Sequence, residues 1–79
     1  MIEVLTVQHY SEDIKEVQRI TLAAASINLV SASVEDTIIN GISVRPVTVF
    51  FQDGGTIDIT ISHSDLNLLE RAVGSFLIG

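Results

Sequence analysis

Apolar and polar positions alternate with period two through the middle of this chain, and a helical spacing flanks that region on both sides. Val30, Ala32 and Val34 alternate with Ser31, Ser33 and Glu35, and the rhythm returns in VTVFF and TIDITI. Residues 1–9, MIEVLTVQH, are β-branched and apolar at both parities, which predicts an additional strand. Tyr10-Ser11-Glu12-Asp13 predicts a helix start, with Ser11 as cap and two acids at the positive end of the helix dipole. Ile14, Val17, Ile20, Thr21, Ala24 and Ala25 share one arc of the helical wheel, opposite Glu12, Lys15, Glu16 and Arg19. A second helix is expected to open at His63-Ser64-Asp65, capped by Ser64, with Leu66, Leu69, Val73, Phe76 and Leu77 on its apolar face. Gly74 inside that helix costs about 1 kcal/mol relative to alanine and suggests close packing on the sheet.

Strand register can be worked out from which side chains must face each other. Between VTVF and TIDITI, a two-residue loop sets every apolar residue opposite a polar one. A three-residue loop, Asp53-Gly54-Gly55, pairs Phe51 with Ile57, Val49 with Ile59 and Val47 with Ile61, with Gly55 in the left-handed conformation of a bulge. For the preceding hairpin, a three-residue Ile39-Asn40-Gly41 loop and a bulge at Arg45-Pro46 keep the proline out of a continuous ladder. Ile38 then faces Ile42, Asp36 faces Val44, Val34 faces Val47, Ala32 faces Val49 and Val30 faces Phe51.

The predicted order is β-α-β-β-β-α, an α+β two-layer sandwich in which an antiparallel meander with an extra N-terminal strand carries both helices on one face. The other face is left with Ser31, Ser33, Glu35, Thr37, Ser43, Thr48, Thr56, Asp58, Thr60 and Ser62, and with Phe50 as its one aromatic.

Composition narrows the reading. Seventy-nine residues predict a single domain, 1–79, at the size where a hydrophobic core is barely adequate and oligomerisation is a common remedy. There is no cysteine, which fits a reducing cytoplasm, and 47% hydrophobic residues supply the core. The start has no basic n-region, so no signal peptide is expected. ITLAAASINLV, broken by Thr21, Ser26 and Asn28, is about half of a membrane span, so no membrane partner is expected. Ten acids against four bases give a net charge of -6, and Lys15, Arg19, Arg45 and Arg71 are too scattered to converge on phosphates. Direct nucleic-acid binding is therefore not expected.

No motif calls for catalysis. His63-Ser64-Asp65 holds the residue types of a hydrolase triad, but neighbours at a helix start point in different directions, and a triad requires convergence. His9 and His63 lack the paired spacing of a zinc site, so no metal and no cofactor are expected. Asp53-Gly54-Gly55 joins antiparallel strands without a following helix or lysine, which excludes a phosphate-binding loop. Glu12/Asp13, Glu35/Asp36 and Asp53/Asp58 read as solvated charges rather than as a carboxylate pair flanking a cleft. The α-β-β-β-α order resembles double-stranded-RNA-binding domains in topology alone, because HSDLNLLERAV lacks the lysines that begin that family's last helix.

The expected function is that of a small acidic, non-enzymatic protein-interaction module, homodimeric and cytoplasmic, which blocks or scaffolds a protein partner. Phe50, with Thr48, Asp58 and Thr60 around it, is the expected partner-binding patch, since an aromatic ringed by polar residues has the composition of a binding hot spot. Glu12, Asp13 and Glu16 would form an acidic helix face able to compete for a basic groove. In size and charge the chain resembles the general style of phage- or mobile-element-encoded anti-defence inhibitors. The alternative is a protein that sequesters a small ligand or nucleotide on the hydroxyl-rich sheet face of an oligomer.

Overall fold

The computed structural model describes residues 4–11, 16–73 and 76–78, the last three as backbone only. Strands β1 (Val4–Tyr10) and β2 (Val17–Ala23) form an antiparallel hairpin, and a single 3₁₀ turn, Ala24–Ser26, leads into β3 (Ile27–Ala32). β4 (Thr37–Ile39), β5 (Ile42–Phe51), β6 (Thr56–Ser62), helix α1 (His63–Ala72) and β7 (Phe76–Ile78) follow. β5 is the spine of a five-stranded sheet, with β6 on one side and both β3 and β4 on the other. β7 adds parallel to β3. The fold is thus α+β and dominated by antiparallel sheet.

It has one helix among the described residues, not two. The segment expected to be the first helix is β2, paired from Val4↔Ala23 to Tyr10↔Val17. Its residues satisfy either pattern, since Ile20 and Leu22 turn inward while Arg19 and Thr21 stay exposed, which is also period two. β-branched Val17, Ile20 and Thr21 favour the strand, and Leu5 and Val7 of β1 supply apolar cross-strand partners for Leu22 and Ile20. Of the expected start of that helix, Tyr10 is the last residue of β1 and Ser11 follows the strand rather than capping a described helix, while Glu12 and Asp13 lie outside the described residues.

The two expected hairpins differ from their expected registers at the turn, one in the position of the loop and the other in its length. The β5–β6 loop has the expected length but sits one residue earlier, at Gln52-Asp53-Gly54, and pairs Val49 with Ile57 and Val47 with Ile59. Gly54, at φ 93, rather than Gly55, takes the left-handed position. The Phe51 N–H donates to the Gly55 carbonyl at 2.8 Å and the Gly54 N–H to the Phe51 carbonyl at 3.0 Å. Asp53 settles the choice of glycine by accepting the Gly55 N–H at 2.8 Å. Between β4 and β5, Asn40 (φ 54) and Gly41 (φ 78) make a two-residue turn with both central residues left-handed, so Ile39 pairs with Ile42 and Thr37 with Val44.

β5 carries no bulge at Arg45-Pro46. The irregularity falls on the facing side, where residues 33–36 separate β3 from β4. The Ser33 N–H donates to the Pro46 carbonyl at 3.0 Å. In an extended strand the nitrogen of Pro46 faces the same way, toward that interruption, so its missing N–H breaks no ladder bond. β3 runs two positions away from the expected register: Val30 pairs with Val49 and Ala32 with Val47, with a further shift between Ile27 and Leu29.

α1 is capped by Ser62, whose hydroxyl accepts the Asp65 N–H, and not by Ser64, which lies within the first turn. It ends at Ala72, so Phe76 and Leu77 belong to β7 rather than to a helix face, and Gly74 lies outside the described residues. Leu66, Leu69 and Val73 join Leu5, Val7 and Leu22 of the hairpin over Val30, Val47, Val49, Ile59 and Ile61 of the sheet. One core therefore holds sheet, helix and hairpin together. Among the described residues no helix is long and apolar enough to cross a membrane.

Candidate sheet-face docking site

The sheet face away from that core presents a grid of side chains, because pairing across β6, β5 and β3 brings residues of one parity into rows. One row is Thr56, Phe50 and Leu29, and the next is Asp58, Thr48 and Ser31. Thr60 and Pro46 continue the pattern, with Ser33 beside Pro46. Successive rows are about 6.6 Å apart and strands about 4.8 Å apart. The four expected docking residues, Phe50, Thr48, Asp58 and Thr60, thus share one surface. Phe50 is not alone among polar residues, however, because half-buried Leu29 is its cross-strand neighbour.

Small side chains in the two hydroxyl-rich rows leave a hollow of ≈ 340 Å³ lined by Ser31, Ser33, Pro46, Thr48, Asp58 and Thr60. Phe50 and Leu29 stand in the row at one end. At the other end Tyr10 comes over the sheet from β1 and closes on Ile39 and Val44, so that Val44 is 0% exposed although it shares the parity of Thr48 and Phe50. A second hollow of ≈ 300 Å³ beneath His9 and Tyr10 shares Pro46 and Thr60 with the first. The two hollows adjoin at Pro46 and Thr60.

His9 is fixed over the second hollow. The Thr60 N–H, which points outward from the edge of β6, donates to His9 Nδ1 at 2.9 Å. In the neutral ring the proton then resides on Nε2. Asp65 Oδ2 accepts the Gln8 N–H at 2.8 Å and ties the same strand to the first turn of α1.

The electrostatics of the face are simple. Asp58 is the one charged side chain in these rows, and the Thr48 hydroxyl donates to its Oδ1 at 2.7 Å. Among the described residues no cation pairs with it. Arg45 turns to the opposite face, where its Nε and guanidinium NH2 both reach Asp36 Oδ1 at 2.9 Å. Arg19 stands on β2 and Arg71 in the last turn of α1.

The other candidate groups separate. His63 Nε2 lies 3.1 Å from Asp36 Oδ1, the Asp65 carboxylate accepts the Gln8 N–H while its own N–H donates to the Ser62 hydroxyl, and Ser64 is exposed, so His63, Ser64 and Asp65 do not converge on one point. Arg45's hydrogen bond, with its charge and that of a protonated His63, holds the Asp36 carboxyl below its ordinary value, against the opposing effect of desolvation. Among the described residues no three histidines or carboxylates gather as metal ligands. Glu16 is exposed just before β2, so it belongs to a hairpin and not to an acidic helix face. Leu29 and Tyr10 are the members of the site that sequence patterning missed, since both are brought in by register and chain crossing rather than by neighbours along the chain. Compared with known proteins, the chain matches no protein-family model, no curated protein and no solved structure.

Proposed function

We propose that this chain is a small acidic, non-enzymatic interaction module that works as a homodimer and docks a protein partner on the open sheet face, blocking or scaffolding it. The observation that carries this reading is the half-exposed Phe50–Leu29 pair at the end of a hydroxyl-lined groove. An aromatic anchor beside an aliphatic one, with threonines and serines around them, supports partner burial with few unpaired polar groups. Self-association is assigned to a separate surface, the outer edge of β2. Among the described residues β2 pairs only with β1, and it exposes Val17 and a row of backbone groups suited to strand addition.

Sedimentation over a concentration series, together with affinity capture, tests both parts using wild type and Phe50→Ser. Both forms are expected to sediment as folded dimers, and proteins retained by wild type should be lost from Phe50→Ser. A wild-type monomer at every concentration would remove the dimer from the reading. A folded Phe50→Ser monomer would make the open face the self-interface, and identical retained proteins would overturn partner docking there.

A further inference from the structure

We infer that the partner segment taken up by the open face is basic, presenting an arginine whose stem lies over Phe50 and whose guanidinium sits on Asp58. The inference rests on the docking reading above and names the chemistry that the face selects. Three features of the grid converge on it.

The first is the state of Asp58. Its carboxylate is exposed, yet the Thr48 hydroxyl holds one oxygen at 2.7 Å, which restrains the rotamer without neutralising the charge. Oδ2 remains to accept, and Oδ1 keeps a second lone pair, so both oxygens can meet the planar fork of a guanidinium. The second is the position of Phe50, diagonal to Asp58 across β5 and β6, because Phe50 pairs with Thr56, two residues before Asp58. Diagonal neighbours lie about 7–8 Å apart, a span that an arginine side chain covers with its stem on the ring and its head on the carboxylate.

The third is charge. No described cation stands on this face, and the chain carries -6, so the groove attracts positive groups and repels acidic ones. A second copy presenting the same face would bring like-charged carboxylates together, which argues against self-docking here. Lysine satisfies the charge but lacks the flat fork and stacks less well, so arginine is favoured.

The test uses the full-length chain and blocked, fluorescent hexapeptides carrying arginine, citrulline or glutamate at one central position between valines, read by anisotropy. Citrulline keeps the shape of arginine and removes its charge. Wild type is expected to bind the arginine peptide about tenfold more tightly than the citrulline peptide. Asp58→Asn, which preserves side-chain shape, should erase that gap, and Phe50→Ala should weaken both peptides. Equal binding of the arginine and citrulline peptides, or an arginine preference that survives Asp58→Asn, overturns the inference. If Phe50→Ala still weakens binding in that case, the docking face stands and only its basic partner is lost. Binding of no peptide at millimolar concentration also overturns the inference, and Phe50→Ser capture then decides separately whether docking falls with it.

Discussion

Asp36 receives Arg45 from the middle of β5 and His63 from the first turn of α1, so one carboxylate fastens residues 33–36 to two elements. Arg45 is held firmly enough that its side chain is only 17% exposed. Because Arg45's hydrogen bond lowers the Asp36 pKa below its ordinary 3.8, the folded form binds fewer protons than the unfolded form in that range. The stability that follows is fully present above pH 3.8 and is lost as pH falls through the lowered folded value. Urea unfolding from neutral pH down to pH 2–3 should therefore show wild type losing stability more steeply than Asp36→Asn. Parallel curves would mean that the carboxylate gains nothing from its partners. The contribution is expected to be small, since the group is open to solvent screening.

Among elements, the β5–β6 turn offers the sharpest comparison, because two adjacent glycines occupy different conformations. Gly54 has φ +93 and would strain any side chain, whereas a Cβ on Gly55 meets Asp53 Oδ1 at 3.1 Å and, in ordinary contact at 3.9 Å, Asp53 Cγ and Phe51 Cδ2. Gly54→Ala should lower unfolding free energy by about 1–2 kcal/mol, and Gly55→Ala should cost less, as measured by chemical denaturation. The reverse order would restore the register that places the left-handed residue at Gly55. That pair also shows why the pattern gave the hairpin but not its exact turn: either glycine can serve locally, and the Asp53 carboxylate decides between them. A slide of the loop by one residue moves the pairing by two, which preserves faces. Phe50, Thr48, Asp58 and Thr60 were for this reason legible as one surface even with the partners misassigned. β2 was not legible, because Ile20 and Leu22 fit a wheel as well as a pleat and the deciding partners lie on β1. Ser62 and Ser64 are equally good caps by type, and only the position at which β6 ends selects the first.

At the scale of the whole molecule, the β1–β2 hairpin is hydrogen-bonded as its own small sheet yet shares its apolar contents with the large one. Val7 is 0% exposed and belongs to the cluster that contains Val49, Ile61 and Leu69. The Thr60–His9 and Gln8–Asp65 bonds add two long-range ties between these parts. Val7→Ala should thus cost about 2 kcal/mol and reduce native-state hydrogen-exchange protection by the same amount in the hairpin, in β5 and in α1. Faster exchange confined to β1 and β2 would show that the hairpin opens as a separate unit. The interruption opposite Pro46 has a different consequence, for how such a chain can be lengthened. β3 and β4 are each registered on β5 by their own pairs, and no ladder runs through residues 33–36. Extra residues spliced between exposed Val34 and Glu35 displace neither register. Doubling a loop's length adds only about 0.6 kcal/mol of closure entropy, so this gap, beside the groove, can take a new segment while the sheet keeps its pairing.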